Sequence, residues 1–259
     1  MTLVSPGAYA KRIVTSVQDY SVLTGRSLAA IFSAPRYLAD TFVQLDSIGV
    51  GSVPIVILAG FFTGAVLTLQ STTTLKQFGA VNLTGKLVAL SMVKELGPVL
   101  TGLMVSGRNA SGMASELGSM KVSEQIDAMR ALGTDPVRKL VTPRIVATVT
   151  MLFFLTIISD TLGIAGGALV AVTLLKQSGG AFFHNALTSL QFGDVVEGLT
   201  KPLFSGFIIA TVGCYYGLST TGGTRGVGKA TTQAVVTSSV LLIIVDTLVT
   251  KLMIGIFGR

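Results

Sequence analysis

The chain has 259 residues, half of them hydrophobic and only 12% charged, against roughly a quarter charged in an ordinary soluble domain. With a mean hydropathy of +0.73, so few charges cannot clothe a water-soluble globule, and the apolar residues fall in blocks long enough to cross a bilayer. The net charge of +7 comes from 19 Lys and Arg scattered between those blocks, without Trp and without a basic run interleaved with aromatics, which speaks against nucleic acid as a partner.

In chain order, Lys11, Arg12, Asp19 and Arg26 interrupt any early apolar run, so no cleavable signal peptide is expected. Residues 8 to about 33 set Ile13, Val17 and Tyr20 at helical spacing, with Lys11, Arg12, Gln18 and Asp19 on other faces. That pattern predicts a helix lying in the membrane interface, a frayed polar leader being the alternative. Residues 1–46 are read as this interfacial segment and 47–259 as a transmembrane bundle, together one domain.

Span one lies in the 29 uncharged residues between Asp46 and Lys76. Span two runs from about Leu83 to Gly107, span three from Ile145 to Leu175, span four from Pro202 to about Thr221, and span five from about Ala230 to Phe257. The fold class is therefore an all-α membrane protein of about five transmembrane helices. Twelve Lys and Arg outside the spans fall on one side: Lys11, Arg12, Arg26, Arg36, Arg108, Lys121, Arg130, Arg138, Lys139, Arg144, Arg225 and Lys229. Lys76, Lys86, Lys176, Lys201, Lys251 and Arg259 fall on the other, so the N-terminus is expected in the cytoplasm. The link 176–201 reads as an external loop with a short helix.

Lys94 and Glu95 stand near the middle of span two, where a charge costs at least about 2.5–3.5 kcal/mol on insertion scales. Pro98 removes a backbone hydrogen bond beside them and should kink or break the helix. Two readings follow. Lys94, Glu95 and Pro98 line a substrate path, or the charges form a structural ion pair with Asp160 or Asp246.

The link between spans two and three predicts a helix over Ser119–Leu132, with Val122, Ile126 and Met129 on one apolar stripe and Lys121, Glu124, Asp127 and Arg130 elsewhere. Gly133 caps it, Asp135 with Pro136 opens another helix, and Thr142 with Pro143 repeats that start at span three. Such an element either docks in a partner's groove through its apolar stripe or rests on its own bundle. A P-loop-like run, Gly223-Thr224-Arg225-Gly226-Val227-Gly228-Lys229, is followed by Ala230 where a Mg²⁺-binding Ser or Thr is needed, and it follows a membrane helix rather than a strand. It reads as a flexible cytoplasmic turn. The single Cys214 excludes an internal disulfide and reads as a buried, inert thiol, and the single His184 leaves no His-ligated metal site.

Lys94-Glu95-Leu96-Gly97-Pro98, Gly107-Arg108, Ala114-Ser115-Glu116-Leu117-Gly118-Ser119-Met120, Glu124-Gln125, Asp135-Pro136 and Thr142-Pro143-Arg144 together resemble the MlaE/YrbE permease family over roughly residues 45–259. In that family the residue before Glu95 is commonly Arg, where this chain has Lys. The resemblance implies the permease half of an ABC-type lipid transporter, often for phospholipids, in the bacterial inner membrane. It implies a homodimer, a separate ATPase subunit that holds the ATP and Mg²⁺, and an MCE-domain protein on the external side, with no cofactor on this chain and no catalysis by it. It makes residues 119–132 the coupling helix, with Val122, Glu124, Ile126, Asp127, Met129 and Arg130 meeting the ATPase. The rival functions are a proton-driven secondary transporter working through Glu95 and an intramembrane aspartyl protease built on Asp160 and Asp246.

Overall fold

The structure, a computed structural model, describes residues 6–31 and 37–257. Arg36 and Arg259, and the side chains of Arg12 and Ile13, lie outside the described residues. Among the described residues every regular element is helical, and five helices are long and apolar enough to cross a membrane.

The leader is helix α1, Pro6–Ile31, not a frayed segment. It is tied to the bundle by a Tyr20 hydroxyl 2.8 Å from that of Thr211 and by Arg26, 3.6 Å from Asp135. Helix α2, Leu38–Ile48, and α3, Val53–Gln77, are joined by a single tight turn at Val50–Ser52, so the first apolar helix starts at Leu38, well before residue 47.

Helices α4 (Thr84–Ser91), α5 (Gly97–Val105) and α6 (Ser111–Val122) are joined by π-turns at Met92–Leu96 and Ser106–Ala110 into one 42-residue run, Val81–Val122. At 1.5 Å per residue that is about 63 Å, twice the roughly 30 Å hydrocarbon layer. The second span therefore continues far past Gly107. The π-turn at Ser106–Ala110 carries Arg108, which donates to the Ser47 carbonyl at 3.1 Å and to the Ser52 hydroxyl at 2.9 Å and so pins the turn between α2 and α3.

Ser119–Val122 belong to α6, and the short helix α7 is confined to Gln125–Ala131. The expected single helix 119–132 is thus split at Glu124, whose φ of 59° turns the chain between the two. Gly133, at φ 76°, ends α7 as expected, with the Thr134 amide donating back to the Met129 carbonyl at 3.0 Å. Asp135 accepts from the Val137 amide at 2.9 Å, as an N-cap does. Thr142-Pro143 starts nothing new, because a π-turn at Val137–Val141 runs straight into α8, Thr142–Thr173.

After α9, Gly179–Ser189, the fourth long helix α10 spans Phe192–Leu218, starting ten residues before the expected Pro202. The capping box at Gln191 and Asp194 sets that start. Helix α11, Gly223–Phe257, takes in the whole Gly223–Lys229 run, which is helical rather than a turn.

Without a hydrophobic drive between helices in lipid, small residues let backbones approach. The crossing of α3 and α8 is of this kind. A Cβ on Gly64 would stand on the Gly163 carbonyl, and one on Gly60 would stand 2.7 Å from the Ser159 carbonyl oxygen. Gly64→Ala is expected to cost about 1–3 kcal/mol, as overpacking does, read as a lowered unfolding midpoint in detergent. An unchanged midpoint would show that α3 and α8 do not pack this closely.

Candidate functional site

Lys94 and Glu95 lie in the π-turn between α4 and α5, where the Gly97 amide donates five residues back to the Met92 carbonyl. In a regular α-helix the Lys94 carbonyl accepts from residue 98, and Pro98 has no N–H to give. Lys201 on α10 supplies the missing donor: its Nζ lies 2.6 Å from the Lys94 carbonyl. The same ammonium is 2.7 Å from Glu95 Oε2 and 3.7 Å from Asp246 Oδ1 on α11. Three donors thus face three acceptors, with the side chain only 1% exposed. One turn earlier on α10, Gly198 has no Cβ to hold the helix off, and its backbone meets the Val93 carbonyl.

Adjacent helical residues point about 100° apart, so Lys94 turns to other partners. Its ammonium is 3.0 Å from Glu197 and 3.3 Å from Asp194. Glu95 also accepts from the Thr250 hydroxyl at 3.4 Å. Asp194, Glu197 and Lys201, at i, i+3 and i+7, share one face of α10. All three are buried, whereas the sequence had placed them in an external loop. Their spacing was the available signal, hidden because Pro202 read as a helix start; it sits inside α10.

Of the two acids suggested as ion-pair partners, Asp246 joins the network through Lys201. Asp160 does not: it packs against Gly97 from α8, and its Oδ1 has no hydrogen-bond partner. Among the described residues no hydrogen bond joins Asp160 to Asp246; Asp160 faces Gly97, and Asp246 faces Lys201. Lys94 is held by two carboxylates, though not by either of the acids expected to pair with it. Two lysines thus stand among four carboxylates, Glu95, Asp194, Glu197 and Asp246. Buried Glu197 Oε1 remains without a partner, and the Glu95 side chain is 43% exposed. The cluster has spare acceptors and an open mouth at Glu95.

The second candidate region, residues 122–132, is oriented differently from the expectation. Ile126 is fully buried in the chain's own core beside Leu117 and Val141, and Met129 packs against that core. Asp127 bonds both Lys121, at 2.8 Å, and Arg130, at 2.9 Å. The Lys121 hydrogen bond holds its carboxyl below the usual carboxylate range, so the clasp stays ionised as the pH falls toward that range and is lost only further below. The outward apolar face is offset to Ala128, Ala131 and Leu132, at i, i+3 and i+4, with Leu132 84% exposed. Val122 is 40% exposed and Glu124 is exposed.

Set beside known proteins, the chain matches the profile of the family described as Permease MlaE over residues 41–252. The chain belongs to the MlaE permease family. It is 40% identical over 247 residues, 95% of each chain, to a Rickettsia typhi protein named a probable ABC transporter permease protein. It is 34% identical over 213 residues, 82% of each, to the intermembrane phospholipid transport system permease protein MlaE of Haemophilus influenzae. Protein Trigalactosyldiacylglycerol 1, chloroplastic, of Arabidopsis thaliana is 36% identical over 225 residues, 87% of this chain and 64% of that one. The family and the five spans make the chain a multi-pass membrane permease of the ABC-transporter kind.

Removing Lys201 strands Glu95, Asp246 and the Lys94 carbonyl together. Lys201→Met is expected to cost about 3–5 kcal/mol, the scale for breaking a buried ion pair from one side, read by unfolding in detergent. Adding Glu95→Gln should return part of that loss. Strictly additive losses would show that the two do not interact.

Proposed function

We propose that the chain is the lipid-moving subunit of an ABC-type phospholipid transporter in the bacterial inner membrane. It works as a homodimer with a separate ATPase on the cytoplasmic side and an MCE-domain protein outside. One observation carries the reading: a charged cluster among the apolar spans, built on a π-turn within a long helix, opens through Glu95. A carboxylate at that depth facing lipid is costly. The mouth is therefore covered by a second copy of the chain or lines a wet passage at the seam between copies. Exposed Val236, Val240, Ile243 and Leu248 on α11 supply apolar surface on the helix that also bears Asp246 and Thr250. The spare acceptors suit the hydroxyl or ammonium groups of a lipid head, and the apolar walls suit its chains. The name of the Haemophilus relative supports phospholipid as the cargo.

The excess of Lys and Arg on the side of the links after spans two and four supports a cytoplasmic N-terminus. The ATPase then docks on the link 122–132, through Val122, Ala128, Ala131 and Leu132, with Glu124, Asp127 and Arg130 setting the register. Ile126 and Met129 hold the segment from beneath. ATP is bound and hydrolysed by the partner; in this chain Gly223–Lys229 begins a membrane helix and Ala230 follows it.

Two measurements test the reading on the complex with its ATPase, reconstituted in liposomes with a fluorescent phospholipid. Leu132→Asp is expected to lower lipid-coupled ATP hydrolysis tenfold or more, about 1.4 kcal/mol of lost docking, with the permease still folded. Ile126→Asp should instead destabilise the permease itself, because it buries an unpaired charge. Glu95→Gln is expected to slow lipid movement more than assembly. Lipid movement that needs a proton gradient and ignores ATP would overturn the proposal in favour of a secondary transporter.

A further inference from the structure

Between α1, α10 and α11 the structure has two adjoining cavities of about 280 Å³ each, both bordered by Ser16, Tyr215 and Tyr216. Their chemistry differs. One lies at the turn between α10 and α11 and is lined by Thr221, Lys229 and Gln233. The other continues along the helices between Val17, Val212 and Leu241. Two of the tyrosines beside this second slot have their hydroxyls paired within the protein, Tyr20 with Thr211 at 2.8 Å and Tyr216 with Thr237 of the slot wall at 2.9 Å. The rings of Tyr20, Tyr215 and Tyr216 stack edge to face with centroids 5.4 and 5.7 Å apart, a stiff apolar wall.

The groove is thus polar and cationic at one end and apolar at the other. Lys229 and Leu241 are twelve residues apart on α11, about 18 Å along its axis. One leaflet's share of the hydrocarbon core is about 15 Å. The polar end lies where α11 begins, at the membrane surface, and the slot descends from it.

We infer that this groove holds one resident phospholipid with an anionic head, drawn from the leaflet on the side of the α10–α11 turn. Lys229 meets the phosphate, Thr221 and Gln233 donate to the head, and one acyl chain fills the slot behind Tyr20. The lipid fastens α1 to the last two membrane helices. The site is separate from the Lys94–Lys201 cluster and independent of what the transporter carries. It also gives the P-loop-like run a role without a nucleotide: of its residues, Gly226 and Lys229 line the polar cavity.

The chain contains no Trp, so a single introduced Trp is an unambiguous reporter. Tyr20→Trp places it in the slot, with Tyr216→Trp as a second reporter should the first fail to fold. Phe154→Trp, exposed on α8 and outside the α11 surface offered to a second copy, is the lipid-facing control. Full-length protein is placed in bilayers containing a minor fraction of dibrominated phosphatidylglycerol or dibrominated phosphatidylcholine, and quenching is read. Quenching of the slot reporters by the anionic lipid is expected to exceed the control and to show about fivefold selectivity over phosphatidylcholine, the worth of one lysine at an anionic surface. Lys229→Glu should abolish that selectivity. Equal quenching of slot and control would overturn the inference, as would slot reporters shielded from both lipids, which would mean that a second copy of the chain covers the groove. Excess quenching that ignores the head group and Lys229→Glu would overturn the headgroup assignment.

Discussion

The architecture turns on a carbonyl without a helical donor. Pro98 removes the N–H that the Lys94 carbonyl would accept in a regular helix, and in lipid no water replaces it. Lys201 supplies that donor from another helix at 2.6 Å, and its remaining contacts gather Glu95 and Asp246. Gly198 lets α10 lie against the same turn, and Gly97 admits the Asp160 side chain of α8. Three membrane helices thereby converge on five residues of a fourth. A π-turn in one helix has become the point where the bundle is fastened.

The same construction leaves one acid of the cluster at the surface of the chain. Carboxylates outnumber lysines around Lys94 and Lys201, and Glu95 stays 43% exposed. A network of this kind is costly in lipid unless something covers or hydrates it. At the far end of the long Val81–Val122 helix, about 63 Å in all, lie the short helix α7 and the outward Leu132 that follows it. The charged turn and the exposed segment thus sit on one continuous helical run and its immediate neighbour.

Much of this was legible beforehand. Five apolar blocks, the charged interruption at Lys94-Glu95, the Gly133 cap and the Asp135 cap all follow from local chemistry, and each is present, while the kink or break expected at Pro98 takes the form of a π-turn before it in a helix that continues. What was not legible depended on neighbours. Asp194, Glu197 and Lys201 looked like loop residues because their charge argues for water; only the opposing charges of Lys94 and Glu95, a hundred residues earlier, make their burial tolerable. Ile126 looked outward because an amphipathic stripe does not say which side its own bundle occupies. The π-turns escaped because periodicity counts residues and cannot see one extra residue taken up within a helix. Thr142-Pro143 carried a good start signal that a preceding helical turn overrode.

The most direct test of the Pro98–Lys201 relation is a thermodynamic cycle on those two positions, read by reversible unfolding in detergent. Pro98→Ala restores the amide at residue 98, so the Lys94 carbonyl no longer depends on Lys201. Lys201→Met should then cost less in the Pro98→Ala background than in the natural chain, by about 1.5–3 kcal/mol, the worth of a hydrogen bond from a charged donor. Equal losses in both backgrounds would mean that Lys201 is held by Glu95 and Asp246 alone and that the broken helix is not what fastens the bundle.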